Sequence, residues 1–349
     1  MTYQRYQNCL KSSLLAVFLL LFQIVPAQDL SAFGQKLLAE QKALGNDVVI
    51  LVWKKDDTLV YKKELGNYNS KTQAPIASCS KWLTAALVMQ FVDEGLISLD
   101  DPVSRWLPEF ERYGKNYVTV RHCLSHMTGI DEETRLLKKL VQRSRYESLE
   151  EEVNQFARRE IRSNPGNDFW YGNTGLNIAG RVLEVVSRKK FDALIKQKLF
   201  NPLGMRKTSF TNPNGGAINP SGGAYSTADD YMRFLVMLLN GGQYGGKQIL
   251  SPESVNELMK IHSSLDKVKY APKSATGYNY ALGSWVIEEQ NGKATTLASP
   301  GLFGTWPMID FCRGYAYLVF VKNLLGDERA GIHIELKEIL DKQFPAQCP

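Results

Sequence analysis

Ile76-Ala77-Ser78-Cys79-Ser80-Lys81-Trp82-Leu83-Thr84-Ala85-Ala86-Leu87-Val88-Met89-Gln90-Phe91-Val92-Asp93-Glu94-Gly95 is the stretch that governs the reading of this chain. Ser78–Glu94 predicts a strongly apolar helix, stopped at Gly95. Ser78 and Lys81 form an S-x-x-K pair at its start. Residues three apart share a helix face, so the lysine can reach the serine hydroxyl. A helix N-terminus carries free N–H groups and partial positive charge, which favour a developing oxyanion. The same spacing recurs at Ser187–Lys190 and Ser264–Lys267, both in polar, charge-rich stretches that read as solvated surface. Only Lys81 is followed by a long apolar helix able to hold its amine away from water, the condition for a lysine base.

A second element lies in Asp168-Phe169-Trp170-Tyr171-Gly172-Asn173-Thr174-Gly175, ahead of an apolar helix over Leu176–Val186. A tyrosine and an asparagine two apart in an aromatic, glycine-containing loop can both face a cleft. The plainer reading is a buried aromatic loop in which Asn173 caps the following helix.

Around these elements the patterning is orderly. Leu30–Leu44 predicts a helix ending before Gly45, and Asp47–Trp53 with Thr58–Glu64 a hairpin. Helical and loop signals alternate from Leu96 to about Asn219, and Thr227–Asn240 predicts another helix. Ala281–Glu288, Lys293–Ala298, Thr305–Asp310 and Gly314–Val321 predict successive strands, and Glu328–Phe344 a closing helix. Strands at both ends and helices between them predict an α+β fold. Its antiparallel sheet is built from N- and C-terminal strands and flanked by helices, with a mostly helical lobe inserted over about 96–225. The cleft between sheet and lobe is the natural site.

Taken together, these residues make the chain resemble the serine β-lactamase-like superfamily, which includes class C β-lactamases, D,D-peptidases and related secreted esterases. The similarity extends over Ile76–Ala86, Glu94–Val103, Trp106–Phe110, Arg121–Gly129, Asn201-Pro202-Leu203-Gly204-Met205 and the Gly222-Gly223 bend. It implies a β-lactamase/transpeptidase-like fold, Ser78 as nucleophile, and Lys81 and Tyr171 sharing the proton work. It also implies that Asn173 positions substrate and Lys81, and that the N–H groups of Ser78 and Leu302 form an oxyanion hole. Acylation of Ser78 followed by water attack is the expected course. Lysine and tyrosine both start near pKa 10, so one of them must fall by roughly 3 units, about 4 kcal/mol, to act as base at pH 7. Neutral Lys81 is the expected base, with Tyr171 passing a proton to the leaving group; the tyrosine remains the alternative.

The family's third element departs from pattern. It is normally a Lys- or His-x-Gly strand, and here the matching residues are Ser299-Pro300-Gly301, followed by Leu302. The cation of that element binds a substrate carboxylate, so its replacement by Ser299 points to a neutral ester or capped peptide. Ser299, Gly301 and Leu302 are expected to bind or position substrate, with the Ser299 hydroxyl offering one hydrogen bond or a proton relay. Trp170 and Phe303 are candidates for the acyl pocket, with core packing as the alternative.

The chain has 349 residues, 44% hydrophobic and 22% charged, with a net charge of +6 and five cysteines. That excludes disordered, collagen-like and coiled-coil proteins and leaves ample material for a core. The mild charge, without a dense basic cluster interleaved with aromatics, argues against nucleic-acid partners. Residues 1–27 predict a signal peptide: Arg5 and Lys11, the apolar run Leu14–Phe22, and Val25-Pro26-Ala27. Nine apolar residues are too few to span a bilayer, which needs roughly 20. Residues 28–349 then form one exported, secreted or periplasmic serine hydrolase domain, with no membrane span after cleavage. Of the four remaining cysteines, Cys312 and Cys348 are the expected pair because both lie near the C-terminus. His122 and His126 have metal-ligand spacing, but Cys123 rather than a glutamate follows His122, so a hydrogen-bonded structural role is expected and neither metal nor cofactor. Gly241–Gln248 reads as a glycine-rich turn rather than a phosphate loop. The charge runs Glu150-Glu151-Glu152, Arg158-Arg159 and Arg188-Lys189-Lys190 read as solvated faces. The function expected is cleavage of a small-molecule or peptide ester or amide through an acyl-enzyme. Class C-type β-lactamase or D,D-peptidase activity, and non-catalytic binding of a peptide or cell-wall fragment, are the alternatives. Oligomeric state is left open.

Overall fold

The computed structural model describes residues 28–132, 146–213, 215–324 and 329–348. The expected signal segment lies outside the described residues. The elements that build the site are, in chain order, α1 (Ser31–Ala39), β1 (Val48–Lys54), β2 (Thr58–Leu65), α2 (Ser80–Asp93), α3 (Val120–Leu124), α4 (Leu149–Arg158), α5 (Thr174–Ser187), α6 (Ala228–Leu239), β3 (Asn279–Tyr280), β4 (Trp285–Gln290), β5 (Lys293–Ala298), β6 (Trp306–Asp310), β7 (Tyr315–Val321) and α7 (Arg329–Asp341). The strands form one antiparallel sheet in the spatial order β3-β4-β5-β6-β7-β1-β2, so the N-terminal hairpin joins the C-terminal strands at β1–β7. This is the α+β architecture expected from strands at both ends of the chain.

Alternation along the central strands divides the interior in two. Val49 and Leu51 of β1, with Ala316, Leu318 and Phe320 of β7, join the larger core shared with α2, α5 and α6. Val48, Ile50 and Val52, with Tyr315, Tyr317, Val319 and Val321, face α1 and α7. Ile50 pairs with Val319 and Val52 with Tyr317, so both strands change face in step. A sheet covered on both sides explains why β1 and β7 are apolar at nearly every position. α2 is likewise buried from Ser80 to Phe91. The helix expected from Ser78 starts at Ser80, after the 3₁₀ turn Ala77–Cys79; each large apolar side chain it encloses contributes about 1.5–3 kcal/mol, so the helix carrying Lys81 is anchored along its length.

Several boundaries differ from expectation for local reasons. The strand expected at Ala281 begins at Trp285. Gly283, at φ +79°, turns the chain against α2, where an added Cβ would lie 2.8 Å from both Lys81 O and Ala85 Cβ. In the run Glu150–Glu152, Glu152 is not on a solvated face. It is buried and accepts a 3.0 Å hydrogen bond from Asn177 Nδ2. Arg159 is also drawn inward, donating from Nη1 to Asp131 O and Thr174 Oγ1, both at 3.2 Å. Arg188, Lys189 and Lys190 are exposed. Cys312 and Cys348 are joined by a disulfide, while Cys79 and Cys123 are buried thiols. Among the described residues no helix is long and apolar enough to cross a membrane.

Candidate active site

The turn that carries Ser78 begins at Ala77, whose φ of +45° is rare for a residue with a Cβ. Such a conformation costs about 1–2 kcal/mol and persists only where the surroundings impose it. Three hydrogen bonds do so: Ile76 N to Ala224 O at 3.0 Å, Ala224 N to Ser80 Oγ at 3.0 Å, and Tyr231 Oη to Cys79 O at 2.8 Å. The turn lifts Ser78 to a half-buried position in the 3₁₀ segment Ala77–Cys79, immediately before α2.

One helical turn on, Lys81 is 1% exposed, and its Nζ lies 3.1 Å from Ser78 Oγ, 2.9 Å from Ser221 O and 3.4 Å from Asn173 Oδ1. A neutral amine in this position donates to the two carbonyl oxygens and turns its lone pair to the serine O–H. An ammonium donates to all three oxygens. Both protonation states therefore fit the same heavy-atom arrangement. Ser221 is itself held by Asn177 Oδ1, which accepts its N–H at 3.0 Å, so Glu152, Asn177, Ser221 and Lys81 form one chain of polar contacts.

Tyr171 completes the group. The Lys81 Nζ stands 4.9 Å from its ring centre. Burial pushes the phenol well above its ordinary pKa, and the nearby Ser78 hydroxyl only partly offsets this. A tyrosine held protonated is a better proton donor to a leaving group than a first base. The ring belongs to an aromatic box with His126, Phe169, Tyr280 and Trp285. His126 Nδ1 accepts the Gly172 N–H at 3.4 Å, which leaves its proton on Nε2, 3.2 Å from Tyr280 Oη. His122 does something different: its Nδ1 accepts the Thr119 N–H at 3.2 Å in a cap at the start of α3. The two histidines thus serve two separate hydrogen-bonding purposes.

Asn173 is the N-cap residue of α5, yet its side chain makes no cap hydrogen bond. It turns to Lys81 instead. The Glu132 carboxylate takes the amides, accepting from Asn173 N and Thr174 N at 3.1 Å each.

The third element lies beside the turn that carries Ser78. Ser299 is 3% exposed, and its Oγ lies 3.1 Å from Gly283 O and 3.4 Å from Ser78 O. Gly301 packs so close to the turn that an added Cβ would be 2.3 Å from Ile76 O and 3.1 Å from Cys79 Sγ. Leu302 is on the surface, 37% exposed. Behind this loop Arg329, from α7, donates to Gly301 O at 2.9 Å and Leu302 O at 3.3 Å. Trp170 stacks on Tyr270 at 6.3 Å and takes Arg162 over its face, and Phe303 is half-buried.

Lys81, Tyr171, Asn173, Ser299 and Gly301 are therefore gathered around the turn that carries Ser78, with the exposed Leu302 next to Gly301 in the chain. The residues missed from sequence are Glu132, Asn177, Ser221 and Arg329. Ser221 acts through a backbone carbonyl, which no residue type signals. The other S-x-x-K lysines are elsewhere: Lys190 is exposed and Lys267 donates to Gly166 O at 3.0 Å. Among the described residues, Glu288, Asp310 and Asp341 come close enough to share a metal ion. Lys337 Nζ already stands among them at 2.8, 3.3 and 2.7 Å, and Arg313 adds a second cation.

A family model described as Beta-lactamase matches residues 35–339. A solved beta-lactamase-type protein of Bacteroides dorei is 27% identical, with a TM-score of 0.79 over 90% of this chain and 99% of that one. The Escherichia coli D-alanyl-D-alanine-carboxypeptidase/endopeptidase AmpH is 24% identical over 191 residues, covering 48% of this chain and 49% of its own length. The fold also matches EstCE1, a hydrolase with promiscuous acyltransferase activity, at a TM-score of 0.72 and 19% identity over 88% of this chain and 98% of that one.

Proposed function

The chain belongs to the beta-lactamase family, whose members include serine hydrolases, and from that premise we propose that it is an exported hydrolase cleaving a neutral ester or amide through an acyl-enzyme on Ser78. The observation that carries the reading is the contact of Ser78 Oγ with Lys81 Nζ at 3.1 Å, beside a Tyr171 phenol kept protonated by burial.

In the first half-reaction neutral Lys81 takes the Ser78 proton as Oγ attacks the carbonyl carbon. The amides of Ser78 and Leu302 receive the oxyanion. The close fit of Gly301 against Ile76 O and Cys79 Sγ supports that pairing, because it ties the Leu302 loop to the nucleophile turn. Tyr171 gives its proton to the departing oxygen or nitrogen, and transfer from the Lys81 ammonium restores the phenol. Water then attacks the acyl carbon with the proton moving the opposite way, releasing acid and restoring Ser78.

The substrate class follows from charge. Position 299 holds a hydroxyl directed at backbone carbonyls, and the Arg329 guanidinium is turned onto Gly301 O and Leu302 O. A cation about 4 Å from a substrate carboxylate is worth roughly 1–4 kcal/mol between aqueous and surface-like dielectrics. Its replacement disfavours carboxylate-bearing lactams and D-Ala-D-Ala peptides by that amount. The exposed Leu302 adds apolar surface at the mouth. Export is supported by the leader-like pattern of residues 1–27 and by the Cys312–Cys348 disulfide, a bond favoured in oxidising compartments.

The test is a panel of kcat/KM values for p-nitrophenyl esters of short neutral acids, a chromogenic cephalosporin and a D-Ala-D-Ala peptide, with Ser78→Ala as control. Ester turnover at least about tenfold above the two carboxylate substrates, lost in the variant, is expected. Faster lactam or D-Ala-D-Ala cleavage would overturn the neutral-substrate reading.

A further inference from the structure

Asparagine is among the best N-cap residues, because its side-chain oxygen satisfies amides of the first helical turn. At the start of α5 it does not do so. Its Oδ1 is 3.4 Å from Lys81 Nζ, and the capping falls to a residue 41 positions earlier. Glu132 is 6% exposed, with Oε1 on Asn173 N and Oε2 on Thr174 N. The Gly172 N–H goes to His126 Nδ1, so three consecutive amides are received by two side chains of one segment. An added Cβ at Gly172 would stand 2.0 Å from the Glu132 Cδ, so a larger residue there displaces the carboxylate.

We infer that Glu132 is a positioning residue: its carboxylate caps α5 in place of Asn173, fixes the Tyr171-Gly172-Asn173 loop, and frees the Asn173 amide to hold Lys81. The inference rests on the hydrolase reading for its kinetic consequences. The clamp itself does not depend on turnover. Glu132 also sets a negative charge at the positive end of α5, facing the side from which Asn173 reaches Lys81. The charged and titratable groups around the pair are His126, Asp131, Arg159 and Arg162 beside Glu132, and Ser78, Cys79 and Tyr171 beside Lys81.

Glu132→Gln preserves shape but removes the charge and sets an NH₂ group against one of the two amides. The expected result is a kcat at least about tenfold lower with KM little changed, because a buried donor is left without an acceptor. The acid limb of kcat/KM, read as loss of the Lys81 proton, moves to lower pH. A carboxylate on the far side of Asn173 favours the ammonium, and its removal withdraws that support. Gly172→Ala produces the same defect by displacing the carboxylate, and in a Glu132→Ala background, where the space is vacated, it adds little further loss. Amide hydrogen exchange at Asn173 and Thr174 speeds up in Glu132→Gln whether or not the protein turns over substrate. An inactive wild type, together with faster exchange in Glu132→Gln, would sink the hydrolase reading and leave the clamp standing. Unchanged exchange, an unmoved acid limb, or independent effects of Gly172→Ala and Glu132→Ala would overturn the assignment of Glu132.

Discussion

Gly301→Ala tests the contact between the Ser299–Leu302 loop and the turn that carries Ser78. The new Cβ would stand 2.3 Å from Ile76 O and 3.1 Å from Cys79 Sγ. Carbon and oxygen pack comfortably at about 3.5 Å, so the loop and the turn must separate by about 1 Å. Neither side is free to yield. Gly301 N donates to Thr305 O at 2.8 Å, Gly301 O accepts from Arg329 at 2.9 Å, and Ile76 N is tied to Ala224 O at 3.0 Å. A displacement of about 1 Å in a reacting pair costs about 10²-fold in rate, close to 2.7 kcal/mol of transition-state energy. Overpacking adds about 1–3 kcal/mol of destabilisation. The assay is the second-order rate of Ser78 acylation by an activated ester, beside a urea denaturation curve. Gly331→Ala serves as control: it lies within α7 with no atom within 4 Å of an added Cβ, and is expected to gain up to about 1 kcal/mol of stability with no rate change. A Gly301→Ala protein that acylates at the wild-type rate would refute the claim that this contact aligns the two halves of the site.

Two further outcomes follow from buried groups. His333 is enclosed between Trp306 and Tyr317, and burial, reinforced by the Arg329 charge, holds its pKa well below the usual value of 6.5. The unfolded chain therefore binds a proton below about pH 6.5 that the folded chain refuses, so stability is fully present above that pH and falls by about 1.4 kcal/mol per unit as pH drops toward the folded value. Urea titrations of wild type and His333→Asn between pH 6.5 and 5 should differ by that slope, and identical slopes would refute the assignment. The Cys312–Cys348 bond closes a loop with a sequence separation of 36, for which chain entropy gives about 3–4 kcal/mol. A Cys312→Ser/Cys348→Ser double variant is expected to lose that much in denaturant, and unaltered stability would show that the bond contributes nothing.

The legible part of the site consists of residues whose chemistry requires a particular side chain. Ser78, Lys81 and Tyr171 stand out because an activated hydroxyl needs a base held away from water, and α2 announces itself by its continuous apolar pattern. The sheet was legible because β1 and β7 are apolar on both faces and meet as partners. What escaped acts through position rather than type. Ser221 contributes a carbonyl that any residue could present. Glu132 lies in no motif, and only the fold carries it to the start of α5. Glu152 escaped in the same way, since the partner that draws it inward, Asn177, is 25 residues distant. Asn173 as a helix cap was the plainer expectation. The structure assigns the capping to Glu132 because an asparagine cannot both close the helix and reach Lys81. The boundary missed at Ala281 arose at Gly283, where packing against Lys81 and Ala85 interrupts a pattern that otherwise alternates like a strand.

The central claim is that Ser78 is an activated nucleophile without a cation at position 299. Intact-mass analysis after treatment with a fluorophosphonate tests it most directly. The account predicts one adduct on the wild type, mapped to Ser78 and absent in Ser78→Ala. Folded wild-type protein that remains unmodified under the same treatment would contradict it.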